Sequence, residues 1–404
     1  MKLVQFGAGN IGRSFIGQIF SKAGWEVVFV DIDPTVIEAL NDKRRYTVVV
    51  KDRVEETIVV QNVRGVRASD PEAVSAQIAG ADLLATAVGQ GALPRVIKAI
   101  AAGILERRRL SPGRPLDIVI CENMRDAASY FRRALAAELP RGFPLGEYVG
   151  LVETSIGKMV PIMGEEERRR DPLLVYAEAY NTLLLDRKGF KGPVPRVPNL
   201  DPKENMKAYV DRKLYIHNLG HAVLAYVSFA FRPAYRFVWE AAADRDLQAV
   251  TRAAMGESGR ALVAEYPEEF DERAMGAHID DLIARFGNRA LGDTIYRAGR
   301  DLARKLAPDD RLVGAVRLCL AHRVEPKAIA LGVASALFFK GVGEKGMMFE
   351  SDRLFQEREA SKGFDHVMKS VCGLENPSAL AMIGGHFAKL LAGERDLMMY
   401  RNGW

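Results

Sequence analysis

Val4-Gln5-Phe6-Gly7-Ala8-Gly9-Asn10-Ile11-Gly12-Arg13 opens the chain with a strand, a glycine turn and a helix start in immediate succession. A short apolar run ends in G-x-G-x-x-G and passes into a helical pattern over Ile11 to Ala23. Gly7 permits the tight turn, Gly9 lets a pyrophosphate approach the backbone, and Gly12 allows close helix-to-strand packing, with the helix amino terminus facing the anion. Ala8, Asn10 and Ile11 complete this loop. Asp31 closes a second strand about 20 residues on, where a carboxylate accepts hydrogen bonds from the adenosine ribose hydroxyls. It also repels a 2′-phosphate, so NAD is expected over NADP, with Asp33 as a second candidate on the same side. Thr86 to Gln90, Val88 among them, follow the fourth strand candidate and are expected by topology to line the nicotinamide half.

Outward from this loop, short β-rich runs alternate with longer helical patterns as far as about Asp186, which is how a mainly parallel sheet reads. The strand candidates are Lys2 to Phe6, Glu26 to Val30, Asp82 to Ala87 and Asp117 to Cys121, with a further pair at Tyr46 to Val50 and Thr57 to Val63. Helical segments cover Ile11 to Ala23 and Pro94 to Arg107. The segment Gly189 to Pro202 carries four prolines, Pro193, Pro195, Pro198 and Pro202, and cannot hold a helix or an inner strand. The expected boundary falls there: a Rossmann-type α/β doubly wound dinucleotide domain over 1–192 and a mainly α-helical, substrate-binding and catalytic domain over 193–404. Asp201, Pro202 and Glu204 read as an N-cap, first-turn proline and capping-box acid, so a helix is expected to start there. Asn376 with Pro377 reads as another helix start, and Gly393 as its stop.

With 404 residues, 48% hydrophobic and 27% charged, the chain exceeds what one core usually serves and is expected to fold as two domains. Lysine and arginine number 57 against 52 aspartates and glutamates, a mild excess. Part of it is answered locally, where Glu165, Glu166 and Glu167 meet Arg168, Arg169 and Arg170 as a solvated face. No one-sided basic stripe with interleaved aromatics suggests a nucleic-acid partner. Cys121, Cys319 and Cys372 are far apart and odd in number, which fits reduced thiols in a cytoplasmic protein. Ala328 to Phe339, read as the longest strongly apolar stretch, is too short to span a bilayer. The chain begins directly with strand residues, so no signal peptide is expected, and monomer is the default.

The chemistry-bearing segment is Lys213-Leu214-Tyr215-Ile216-His217-Asn218-Leu219-Gly220-His221. At about 100° per residue, Lys213, Asn218 and His221 fall within an arc of about 140° and can face one cleft, expected between the two domains. Oxidising an alcohol by hydride transfer needs a base for the hydroxyl proton and donors for the developing oxyanion. A lysine whose pKa is lowered by burial or nearby positive charge can be that base. Asn218 can donate to the oxygen, and His221 can orient the hydroxyl. His217 and His221 are also spaced i, i+4 as metal ligands on a helix can be, but no third ligand follows by spacing, so a metal-independent reaction is expected.

This K-x4-N-x2-H block resembles that of the polyol-specific long-chain dehydrogenases, the mannitol dehydrogenase family, and Asn205 through Tyr226 look like its mannitol-1-phosphate 5-dehydrogenase branch. Cys121-Glu122-Asn123, Phe190-Lys191-Gly192, Arg285-Phe286-Gly287-Asn288 running on to Asp293, Arg297-Ala298-Gly299-Arg300-Asp301, Arg304-Lys305-Leu306 and Asp310-Arg311-Leu312 are similar too. The resemblance implies a zinc-independent enzyme interconverting mannitol 1-phosphate and fructose 6-phosphate with NAD. It implies Lys213 as general base, Asn123 and Asn218 flanking the substrate oxygen, and His221 in support. A phosphorylated substrate favours cationic donors, for which Lys158, Lys191, Arg297, Arg300, Arg304 and Lys305 are candidates. At helical spacing Arg297, Arg300 and Arg304 are expected on one face. Three departures border the expected cleft: Ser155 to Pro161 replaces the usual D-R-I-V-P context, Leu302 stands where the branch has proline, and His217 replaces an apolar residue. A reductase of an unphosphorylated ketose, polyol or hexuronate is the nearest alternative. An NAD-sensing regulator is the non-enzymatic one.

Overall fold

The computed structural model describes residues 1–52, 54–161 and 163–401. Its strands are β1 (Lys2–Phe6), β2 (Glu26–Asp31), β3 (Arg45–Val50), β4 (Glu56–Gln61), β5 (Val63–Arg67), β6 (Leu83–Thr86), β7 (Leu116–Ile120), β8 (Val149–Ser155), β9 (Val175–Ala177), β10 (Leu183–Asp186) and β11 (Leu200–Lys203). Among the described residues, eight of them form one sheet in the order β11-β10-β8-β7-β6-β1-β2-β5, and β4-β3-β9 form a second. From β8 to β5 every neighbour is parallel; β10 then runs antiparallel to β8.

Parallel strands covered on both faces need apolar residues at successive positions, and β1 supplies Leu3, Val4 and Phe6, all buried. Successive side chains point to opposite faces. Leu3 packs with Phe15, Ile16 and Phe20 of the helix after the glycine loop. Val4 and Phe6 pack on the other side with Ile97 and Ile100 of helix Leu93–Leu110. Helices thus cover both faces, as the doubly wound expectation requires. The strand order reverses between β1 and β6, opening a crevice at their carboxyl ends where dinucleotides bind in such sheets.

The expected helix start at Asp201-Pro202-Glu204 is corrected. Leu200–Lys203 is strand β11, paired in parallel with β10, and the helix begins at Met206. Pro202 is tolerated because β11 is an edge strand, where a missing N–H breaks no inner ladder. This pairing carries the proline-rich stretch into the first compact unit, Met1–Val210; the second runs from Asp211.

The second unit is helical. Its main elements include Leu219–Phe231, Arg245–Glu265, Glu272–Phe286, Lys327–Ala336 and Pro377–Leu391. Asn376 caps the last of these by accepting from Ala379 N at 3.0 Å, and Gly393 follows at φ +86°, as expected. The continuous helix Met206–Phe231 spans 26 residues and is long and apolar enough to cross a membrane. Among the described residues this helix, and not Ala328 to Phe339, is the one that meets that criterion of length and composition. Its apolar window is 83% buried within the protein, which is how a core helix meets the same criterion. Cys121, Cys319 and Cys372 are buried and unbridged.

Candidate active site

Gly7, Ala8, Gly9, Asn10, Ile11 and Gly12 lie at the carboxyl end of β1. Gly7 has φ +92°, and a Cβ there would lie 2.4 Å from the Ala87 carbonyl oxygen. A Cβ on Gly12 would lie 2.0 Å from the Gly7 carbonyl oxygen. Neither site has room for a side chain, whereas a Cβ on Gly9 would meet nothing within 4 Å. Gly9 is therefore the open face of the loop. Asp31 ties this loop to the end of β2: its carboxylate accepts from Ala8 N at 2.6 Å and from Asp33 N at 3.0 Å. Each oxygen retains acceptor capacity for a ribose hydroxyl. Asp33 has a different task, capping helix Pro34–Lys43 through Thr35 N at 2.9 Å. Thr86 ends β6, and its buried hydroxyl has no hydrogen-bond partner among the described residues. An open anion-facing turn, a ribose-side carboxylate and an unused hydroxyl together fit a dinucleotide.

Sequence reasoning missed two further parts of this loop. The helix opens with a widened i→i+5 turn, Gly12–Gly17, a form frequent at functional sites. Arg13, inside it, is buried and donates to Ala8 O at 2.6 Å and to Pro172 O at 2.7 Å, fixing the turn from below. Burial lowers its pKa from the ordinary arginine value. Glu122, after β7, is buried and accepts from the amides of Val88 and Gly89. Its neighbour Asn123 is exposed, and its carbonyl accepts from Gln90 Nε2 at 3.1 Å.

In the second unit, Lys213, Asn218 and His221 do not lie on a regular α-helix. Lys213–Asn218 is another i→i+5 turn within helix Met206–Phe231. With five residues per hydrogen-bonded step, Lys213 and Asn218 come closer in azimuth than 100° per residue allows. Burial, and after it the charge on Arg311, lowers the Lys213 amine from 10.5 to about 8. Arg311 is itself buried, with its guanidinium on Asp310 at 2.7 Å.

His221 Nε2 lies 2.9 Å from Asp293 Oδ2, and the other oxygen of Asp293 accepts from Arg297 at 3.0 Å. Burial opposes ionisation of Asp293, but the hydrogen bond from His221 and the guanidinium of Arg297 prevail and hold it at about 2. Asp293 thus orients the imidazole. Its only sequence signal was its place at the end of the Arg285–Asn288 block. His217 is buried against the Phe286 ring at 5.8 Å; burial first, then Arg285 and His221, keep it neutral. Among the described residues no group of three or more His, Cys, Asp or Glu side chains is placed to hold a metal.

The basic candidates separate. Lys158, in the first unit, is buried and donates to Glu178 O at 3.1 Å, Tyr180 O at 2.7 Å and Asn181 Oδ1 at 2.9 Å. An ammonium has three donors, so Lys158 has none left for a phosphate. Lys191 holds its backbone amide on Asp117 at 2.7 Å. The shared helical face expected for Arg297, Arg300 and Arg304 is also corrected. The helix stops at Gly299, and a new one starts at Leu302 after Asp301, at φ +74°. Buried Asp352 enforces this break by accepting from Asp301 N at 3.0 Å and Leu302 N at 2.6 Å. Arg304 pairs with Asp301, Arg300 lies over the Phe349 ring at 5.1 Å, and all three arginines are exposed. Lys305 is buried and donates to Ala298 O; burial, then Arg311 and Arg304, lowers it from 10.5 to about 7.

Residues 1–199 match the mannitol dehydrogenase Rossmann domain, and residues 205–390 match the mannitol dehydrogenase C-terminal domain. The chain belongs to the mannitol dehydrogenase family. As a member of that family it is an oxidoreductase. The mannitol-1-phosphate 5-dehydrogenase of Brevibacillus brevis is 34% identical over 341 residues, covering 84% of this chain and 86% of the relative. That of Halalkalibacterium halodurans is 34% identical over 377 residues, covering 93% and 96%. Two solved structures share the fold of this mannitol dehydrogenase family chain at low identity. A D-sorbitol dehydrogenase matches with TM-score 0.80 and 17% identity, covering 98% of this chain and 94% of that one. The mannitol 2-dehydrogenase of Pseudomonas fluorescens, solved with NAD and D-mannitol, matches with TM-score 0.74 and 18% identity, covering 99% and 93%.

Proposed function

We propose that the protein is an NAD-dependent polyol-phosphate dehydrogenase that interconverts mannitol 1-phosphate and fructose 6-phosphate, with Lys213 as general base. The observation that carries this reading is a half-buried lysine whose amine is lowered to about 8 by desolvation, on the same helix as Asn218 and an Asp293-held His221. The two relatives named mannitol-1-phosphate 5-dehydrogenase support the choice of substrate. The carboxylate of Asp31 supports NAD over NADP. Three buried, unbridged cysteines support a cytoplasmic location.

Bound NAD⁺ supplies the hydride acceptor. Lys213, as the neutral amine, takes the hydroxyl proton while the carbon gives up its hydride. In the reverse direction the ammonium returns that proton to the carbonyl oxygen. Asn218 donates to the oxygen as charge develops on it, and Asn123 is a second proposed donor. With Nε2–H directed at Asp293, His221 presents Nδ1 as an acceptor for a substrate hydroxyl, which fixes the hydroxyl's direction. Arg297, Arg300, Arg304 and Lys305 remain the proposed phosphate donors; Lys158 does not.

The test is NADH oxidation at neutral pH with fructose 6-phosphate, fructose and fructuronate. Turnover led by fructose 6-phosphate is the expected outcome. A lead for fructose or fructuronate would move the protein to the unphosphorylated or hexuronate reading.

A further inference from the structure

We propose that Glu122 is a positioning residue that clamps the loop Ala87 to Gln90 and thereby sets affinity for the nicotinamide half of the cofactor; this rests on the dinucleotide reading above. Glu122 is 5% exposed and follows β7, next to β6 in the sheet. Its two carboxylate oxygens each take one amide of the loop, Val88 N at 2.9 Å and Gly89 N at 2.8 Å. Gln90 adds a bond from its carboxamide to Asn123 O at 3.1 Å. The loop is therefore stapled to the residues after β7 at three consecutive positions.

It is confined from the other side as well. The Ala87 carbonyl lies so close to Gly7 that a Cβ on Gly7 would approach its oxygen to 2.4 Å. Gly89 itself sits at φ +82° and ψ 151°, a region essentially reserved for glycine. Glycine reaches this conformation without steric cost, and the bonds from Val88 N and Gly89 N to Glu122 select it from the many that glycine can adopt. The loop stands at the carboxyl end of β6, beside β1, where the strand order reverses. In doubly wound sheets this is the binding crevice. The pyrophosphate and adenosine contacts come from other segments, the glycine loop and Asp31. Releasing the Glu122 clamp should therefore loosen one end of the cofactor only.

A carboxylate is needed for this geometry. A carboxamide offers one acceptor and sets its NH₂ against the second amide, so Glu122→Gln keeps the volume and breaks half the clamp. Gly89→Ala reaches the same loop from its other end: its Cβ meets nothing within 4 Å, but its backbone cannot keep φ +82° without strain, and the buried carboxylate is untouched.

The experiment titrates full-length wild type, Glu122→Gln and Gly89→Ala with NADH and, separately, with ADP-ribose, which lacks the nicotinamide ring. Both variants should bind ADP-ribose as wild type does, showing that fold and pyrophosphate site are intact, while their NADH dissociation constants rise about tenfold or more. Unchanged NADH binding in both variants, or equal loss of both ligands, would overturn the proposal. A wild type that bound neither ligand would instead overturn the dinucleotide reading on which it rests.

Discussion

In the first unit the proposed cofactor loops are built from backbone, open where side chains are missing and held in place by carboxylates: Asp31 on Ala8 N, Glu122 on Val88 N and Gly89 N. In the second unit the groups are side chains set by their surroundings: burial and the charge of Arg311 lower the Lys213 amine, and Asp293 orients His221. Both segments use an i→i+5 turn, Gly12–Gly17 in one and Lys213–Asn218 in the other. The same backbone device therefore occurs in two segments of unlike chemistry. A site built from backbone is damaged by adding atoms, whereas a site built from side chains is damaged by removing them or by letting water in.

The sharpest way to break this comparison is Lys213→Ala. Turnover should fall about 10²–10⁴-fold, the usual share of a positioned acid or base, while NADH binding stays intact. Preserved turnover would remove Lys213 from the reaction. The wild type carries the same information in its pH profile. Oxidation needs the neutral amine, so its rate should climb about tenfold per pH unit below the amine's pKa and level off above it. Since that pKa stands near 8, ketose reduction, which needs the ammonium, should decline above 8.

Gly12→Ala tests the other side by adding one methyl 2.0 Å from the Gly7 carbonyl oxygen. Overpacking of this kind costs about 1–3 kcal/mol, or roughly ten- to a hundredfold in NADH affinity if the loop shifts to relieve it. Normal NADH titration by a folded variant would show that the glycine serves packing alone. Asp293→Ala comes next. It leaves His221 without the acceptor that orients it, and kcat should drop about tenfold at unchanged NADH affinity. An unaltered kcat would mean that the imidazole needs no holding.

The two sites differ in the same way in how well they were legible. The glycine loop and Asp31 are read directly because a turn, an anion approach and a close helix crossing impose residue types at local spacing. Lys213, Asn218 and His221 stand out in the sequence as polar residues in an apolar helical pattern, but their widened turn does not, because a pattern of residue types does not reveal where the backbone adds a residue to a turn. Asp293 lies 72 residues from His221, and only folding pairs them. Local grammar also misled twice. Asp201-Pro202-Glu204 satisfies the rules for a helix start, yet the free edge of β10 captured it as a strand. Arg297, Arg300 and Arg304 satisfy helical spacing, yet Asp352, 51 residues past Asp301, holds a left-handed break between them.

The smallest expected effect compares two clamps. Glu257, in helix Arg245–Glu265, is buried and accepts from Ala328 N at 2.8 Å and Ile329 N at 3.0 Å, as Glu122 accepts from Val88 and Gly89. Here the amides open helix Lys327–Ala336, whose N-cap Pro326 provides no side-chain acceptor. Burial raises the Glu257 pKa from 4.5 to about 7, with the bonds from Ala328 and Ile329 opposing the rise without cancelling it. Folded Glu257 keeps its proton at pH values where the unfolded chain has already released it. Its contribution to stability is therefore full below the unfolded pKa of 4.5 and is lost as pH rises toward 7. The loss is about 3 kcal/mol, the energy of moving the pKa from 4.5 to about 7. Glu257→Gln cannot titrate, and although the lost acceptor lowers stability at every pH, the slope should vanish with the carboxyl. Urea midpoints at pH 5 and pH 8 measure this: the wild-type midpoint should drop more between them than the variant's. Equal drops would show that Glu257 ionises at its ordinary pH inside the fold, making this clamp a charged one held by its two amides.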